Sequence, residues 1–215
     1  MEMLQKQEFP CKWKQDLFKD IRTNSEKDDI CDPLGFGLPF SDMLRRPVSG
    51  NEFSPLNHEA LQKAIDACNP SAKFFLEIGV NRNGRASSTH TIIKNIPSDG
   101  KFLGVDIDQK DSAEKNNFYF LQSNSRDYNT VVNHLTSLGV TYLDFIHIDA
   151  IHSINQVLYD WEYTRLLRRG GVVGFHDVTA HPGPNSFIKA INTDKWIVVD
   201  NLCPDDYGFG YCILK

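Results

Sequence analysis

Between Phe74 and Asp177, short apolar runs alternate with stretches of helical periodicity, and this alternation constrains the fold more than any other feature of the chain. The runs are Phe74 to Ile78, Phe102 to Val105, Tyr119 to Leu121, Leu143 to Ile148 and Val172 to Phe175. Between them, Ser88 to Ile96, Asn129 to Leu138 and Ile154 to Leu167 read as helices. Strands that alternate with helices imply a parallel sheet covered on both faces. Ahead of the first strand, Leu61, Ala64, Ile65 and Cys68 recur at helical spacing until Asn69-Pro70 stops them. The end of the chain differs, because Trp196 to Asp200 and Tyr211 to Leu214 flank a short polar loop, as in an antiparallel hairpin. The expected fold class is α/β, doubly wound, with a mostly parallel seven-stranded sheet and a C-terminal antiparallel hairpin.

Residues 1–56 lack this regularity. They mix charges with aromatics, hold the Gly/Pro-rich patch Asp32 to Phe40, and suggest one short helix from Trp13 to Ile21. This segment reads as an appendage or substrate lid to a domain over residues 57–215. The net charge of −5 argues against a general nucleic-acid binder or a binder of acidic membranes. No apolar stretch approaches the length of a membrane span, and the N-terminus lacks a signal-peptide core. Five scattered cysteines without a CxxC pair fit reduced thiols and a cytoplasmic location. The state of assembly stays open, a homo-oligomer included.

Open parallel sheets bind ligands at the carboxyl ends of their strands. The first strand ends in Glu77-Ile78-Gly79 and leads into Val80-Asn81-Arg82-Asn83-Gly84, where glycines allow close approach to a ligand. The second strand ends at Asp106, 22 residues beyond Gly84, where a carboxylate can accept both hydrogen bonds of a ribose diol. Ser123 and Asn124 follow the third strand and are placed to meet an adenine ring.

The fourth strand closes at Asp149, with His152 three residues on, and the fifth closes at His176-Asp177. Adjacent parallel strands would gather these four side chains around one crevice. Two carboxylates suit a hard divalent cation such as Mg²⁺, and the imidazole of His176 admits Mn²⁺. A metal there would acidify a substrate hydroxyl, and a histidine could take its proton. Ser153 and Gln156 form a capping-box pattern, so a helix should begin there with Ile154, Val157, Leu158 and Trp161 facing the sheet. His147, inside an apolar strand, reads as a hydrogen-bonded core residue, whereas His58, His90, His134 and His181 read as surface or loop positions.

Glu-x-Gly, an acidic residue closing the second strand, Asp at the fourth and Gly-Gly before the fifth resemble class I methyltransferases that use S-adenosylmethionine (SAM). Asp149-x-x-His152 followed by His176-Asp177 resembles the macrocin-type, metal-dependent sugar O-methyltransferases. The resemblance implies a SAM site of Glu77, Gly79, Asn81, Gly84, Asp106, Ser123 and Asn124. It also implies a metal held by Asp149, His176 and Asp177, and His152 as general base. Asp149 could equally serve the SAM site. The acceptor would be a small hydroxylated molecule, a sugar among the candidates. Against the family pattern, Asn81 and Ala150 stand where glycine is usual, Asn124 where aspartate is frequent, and His176 where an acidic ligand is common.

Two other readings stand beside this one. One is a SAM-binding protein without transfer, and the other is a different Rossmann-type enzyme such as a dehydrogenase, although Gly-x-Gly-x-x-Gly is absent. Acceptor choice is expected to lie in the loops Cys31 to Phe53 and Thr179 to Phe187.

Overall fold

A computed structural model describes residues 54–80, 87–108 and 117–215. The expected N-terminal helix, the Asp32 to Phe40 patch, Asn81 and Gly84 lie outside the described residues. Seven strands form one sheet in the order β3-β2-β1-β4-β5-β7-β6. They are β1 (Phe74–Ile78), β2 (Lys101–Asp106), β3 (Phe118–Gln122), β4 (Leu143–Ile148), β5 (Leu167–His176), β6 (Trp196–Val199) and β7 (Phe209–Leu214). The first five are parallel, while β7 runs antiparallel between β5 and β6. Chain order reverses at β1, which pairs with β2 on one side and β4 on the other. The carboxyl ends of β1 and β4 therefore flank the switch point where such sheets bind ligands.

Both faces of the sheet are covered. On one face, Leu76, Ile78, Leu103 and Ile146 pack with residues of α3 (Tyr128–Ser137), α4 (Ile154–Trp161) and α5 (Pro182–Lys189). On the other, Phe75, Phe102, Phe145 and Phe209 pack with α1 (Pro55–Asp66) and α2 (Ser88–Asn95). Burial on both faces explains why β1 and β4 read as continuous apolar runs rather than alternating ones. The polar exception at the base of β4 is Asp144, which accepts from the backbone N–H groups of Lys73 and Phe74 and pairs with Arg168. It staples the entry of β1 to β4.

Two expectations need correction. The helix after β4 ends at Trp161, followed by a 3₁₀ segment, Glu162–Leu166, and β5 already begins at Leu167. Trp161 ends the helix inside a cluster with Phe175, Phe187 and Trp196, so packing rather than Gly170-Gly171 sets its length. The second correction concerns Thr179 to Phe187, expected to be a loop, most of which lies in α5. Pro182 at its first turn starts this helix with no side-chain cap. No described helix is long and apolar enough to cross a membrane.

Candidate functional site

At the end of β1, Glu77 is fully buried and does not stand in the open crevice. Its carboxylate accepts from Ser88 Oγ and Thr89 Oγ1, both at 2.6 Å, and lies 3.0 Å from His147 Nδ1. Glu77 thus ties the first turn of α2 to β1 and β4. His147 is the hydrogen-bonded core residue expected, with its ring stacked on Phe209. Gly79 adopts φ +84°, and a Cβ there would sit 2.0 Å from the carbonyl oxygen of Asp149. Its smallness is needed for the β1 and β4 loops to lie against each other, a reason independent of any ligand.

Asp106 accepts from the backbone N–H of Val80 at 3.0 Å and of Asp108 at 2.9 Å. These two donors hold the carboxylate in place at the end of β2. Ile107 beside it is 57% exposed, one of the few large apolar side chains left open among the described residues. Nothing in the periodicity marks it, since a lone apolar residue just after a strand belongs to no apolar face. Ser123 N donates to the carbonyl of Asp106, which docks the turn after β3 beside the acid. Asn124 is exposed, and its Oδ1 accepts from the backbone N–H of Arg126.

That turn is anchored from below. Gln156 Nε2 donates to Ser125 Oγ and to Asp160 Oδ1, both at 2.8 Å, while its Oε1 accepts from Arg126 Nε at 2.7 Å. Ser153 Oγ accepts from Gln156 N, so the cap forms, but the side chain of Gln156 serves the neighbouring loop rather than closing the capping box. Asp160 is fully buried. Burial pushes its carboxyl up to about 7, against hydrogen bonds from Ser125 and Gln156 and the charge of Arg126.

The ends of β4 and β5 bring together the four side chains expected there. His152 Nε2 lies 2.7 Å from Asp177 Oδ2 and 3.9 Å from Asp149 Oδ1. His176 Nδ1 lies 3.0 Å from Asp177 Oδ2 and 3.2 Å from Asp149 Oδ1. Asp177 holds φ +62°, the one non-glycine in the left-handed region among the described residues. Such strain persists where surrounding contacts over-determine it, and it clusters at functional sites. Burial alone would lower both histidines and raise both acids. The opposite charges win. Asp177 and Asp149 hold His152 up at about 9 and His176 well above the usual histidine range. In return, His176 and His152 hold Asp149 down at about 2 and Asp177 well below the carboxylate range.

One oxygen each from Asp149 and Asp177 and one nitrogen from His176 lie within 4.8 Å of one another. Two carboxylates and an imidazole fit a divalent ion of the Mg²⁺-to-Mn²⁺ class, with nitrogen favouring the latter. His181, expected at the surface, is instead buried, with its ring stacked on His152 at 4.1 Å between centroids. Sequence reading missed it because nothing local marks it; the contact depends on how α5 packs against the loop after β4.

Residues 76–178 match a family profile described as a methyltransferase domain. No curated protein sequence matches the chain. Among solved structures, MycE, a methyltransferase of the mycinamycin biosynthetic pathway in complex with Mg, S-adenosylhomocysteine (SAH) and mycinamycin VI, is similar at 15% identity and a TM-score of 0.53. That likeness covers 79% of this chain but 55% of that one, so the chain spans little more than half of MycE's length. An O-methyltransferase from Bacillus cereus in complex with SAH is similar at 15% identity and a TM-score of 0.51, covering 91% of this chain and 100% of that one. At these identities the likeness is one of fold.

Proposed function

We propose, from the match of residues 76–178 to a methyltransferase-domain profile, that the protein transfers the methyl group of SAM to a hydroxyl of a small acceptor, with sugars the first class to test. One observation carries the reading. A single carboxyl edge of the sheet presents both an anchored carboxylate, Asp106, and a histidine held beside two carboxylates, His152. The first suits a nucleoside and the second suits proton removal. The SAH and Mg in the MycE complex, and the SAH in the Bacillus cereus structure, support the same assignment.

In this reading Asp106 accepts from the ribose hydroxyls, Ile107 lies against the adenine, and Ser123 and Asn124 close the purine end. Gly79 and Glu77 would hold the end of β1 beside the methionine part, to which the sequence motif also assigns Asn81 and Gly84. At the other half, Asp149, His176 and Asp177 would hold a divalent ion. That ion would supply positive charge that acidifies a nearby hydroxyl and relieves His152 of the field of its two carboxylates. His152 then takes the hydroxyl proton on an imidazole nitrogen, the acceptor oxygen bonds to the methyl carbon, and the carbon–sulfur bond breaks to leave SAH. Orienting oxygen, carbon and sulfur in line supplies much of the acceleration, and a positioned base adds about 10²–10⁴-fold.

The test is labelled SAM incubated with a panel of glycosides, phenols and hydroxy acids, with and without EDTA. Labelled product that disappears with EDTA is expected. SAM binding with no labelled product across the panel would favour a binding protein over an enzyme.

A further inference from the structure

The geometry points to His181 as the positioning residue that fixes the plane of the His152 ring; this rests on the proposed role of His152. The turn from Asp177 to His181 holds that ring by two contacts. At one edge, Asp177 Oδ2 lies 2.7 Å from Nε2. Across the face, His181 stacks at 4.1 Å with 21° between the planes. Both grips come from five consecutive residues, closed by the hydrogen bond from His181 N to the carbonyl of Asp177 at 3.0 Å.

The turn is itself braced. The N–H groups of Thr179 and Ala180 both donate to the carbonyl of Tyr207, and Asn201 Nδ2 donates to Thr179 Oγ1. On the far side, the first turn of α5 lies directly on the loop that carries His152. A Cβ at Gly183 would fall 2.0 Å from the carbonyl oxygen of His152 and 2.9 Å from Ile154 N. Backbone and ring of His152 are therefore held by the same segment, residues 177–183.

His181 has a competing role to weigh. With His152 and Asp177 it also offers donor atoms within 4.8 Å of one another, as a second cation site would. An ion shared by two imidazoles must lie in both ring planes, because the lone pairs do. Planes 21° apart with centroids 4.1 Å apart meet on the order of 10 Å away, whereas a metal–imidazole bond is about 2.1 Å. The stacked pair cannot chelate one ion without a ring turning over, so the stack serves orientation.

Orientation needs an aromatic face and not an imidazole nitrogen, which separates the two roles experimentally. His181→Ala and His181→Phe are compared with wild type by ring-proton NMR on histidine-labelled protein, the His152 signals being identified by their loss in His152→Gln. Wild type is expected to show one set of His152 ring signals displaced by the neighbouring ring. His181→Ala should return them toward free-imidazole positions, and His181→Phe should keep them displaced. In turnover assays, His181→Ala should lower kcat about tenfold to a hundredfold with SAH affinity and acceptor KM unchanged, and His181→Phe should restore most of it. Unmoved His152 signals in His181→Ala, or a His181→Phe variant as impaired as the alanine one, would overturn the proposal. Should His181→Ala fail to fold, the ring signals and kcat of His181→Phe decide alone. Wild-type protein with no methyl transfer would count against the proposed function, while the NMR comparison still judges the stack.

Discussion

The two halves of the crevice are built by different means. At the ends of β2 and β3, main-chain groups do most of the holding at the crevice itself: Asp106 is fixed by two N–H donors, and Ser123 N donates to the carbonyl of Asp106. The side chains of Gln156 and Asp160 brace the turn from beneath. At the ends of β4 and β5, charged side chains, two buried and two partly buried, hold one another, with two carboxylates and two histidines within about 4 Å. A surface that binds can be shaped by main chain and remain tolerant of side-chain change. A group that moves a proton needs its charge and orientation set by neighbours. Substitutions in the two halves should therefore fail in different ways.

The largest effect is expected at the acids of the second half. Asp149→Ala or Asp177→Ala should abolish metal-stimulated turnover while SAH affinity, measured by calorimetry, stays close to wild type. Removing Asp177 also leaves His152 and His176 without their nearest acceptor. Parallel loss of SAH binding would erase the division between the halves. Next in size is His152→Ala, expected to keep SAH and metal but lose about 10²–10⁴ in turnover. Raising the pH should recover part of that loss, since hydroxide can replace the base. Full activity in this variant would leave proximity alone as the source of rate.

The anchor beneath the first half gives a pH test. Asp160 is raised from 3.8 to about 7 by burial, so the folded state favours its neutral form. Its contribution to stability is complete below about pH 4 and is lost as pH rises to about 7. Wild type should lose about 4 kcal/mol across that window relative to Asp160→Asn, whose side chain does not titrate. Denaturant melts at pH 4 and pH 8 measure the difference, and equal pH slopes in the two proteins would remove Asp160 as the cause. A smaller effect belongs to Asp106→Ala, which should weaken SAH by about 1–3 kcal/mol, the scale of a lost polar contact. Asp106→Asn should be milder, because one acceptor oxygen remains.

The same division governs what the sequence discloses. Strand-ending residues such as Glu77, Asp106, Asp149 and Asp177 are legible because the parallel α/β pattern assigns each to a known edge. That pattern located β1 and β4 to the residue. It did not disclose that Glu77 faces inward to Ser88 and Thr89, because an end-of-strand carboxylate reads the same whether it meets a ligand or a helix. The stop of α4 at Trp161, the helix α5 and the burial of His181 depend on contacts between elements distant in sequence. No periodicity carries such contacts. The capping pattern at Ser153 predicted the start of α4, but not that Gln156 would reach across to Ser125.

The central claim is that one crevice binds a SAM nucleoside through Asp106 and keeps its chemistry at His152 and its carboxylates. The most direct measurement is a calorimetric titration of SAH, Mn²⁺ and NAD into wild type, Asp106→Ala and Asp177→Ala. The account predicts that wild type binds SAH and Mn²⁺ but not NAD, that Asp106→Ala is weakened for SAH alone, and that Asp177→Ala is weakened for Mn²⁺ alone. Binding of NAD without SAH, or equal loss of both ligands in both variants, would contradict it.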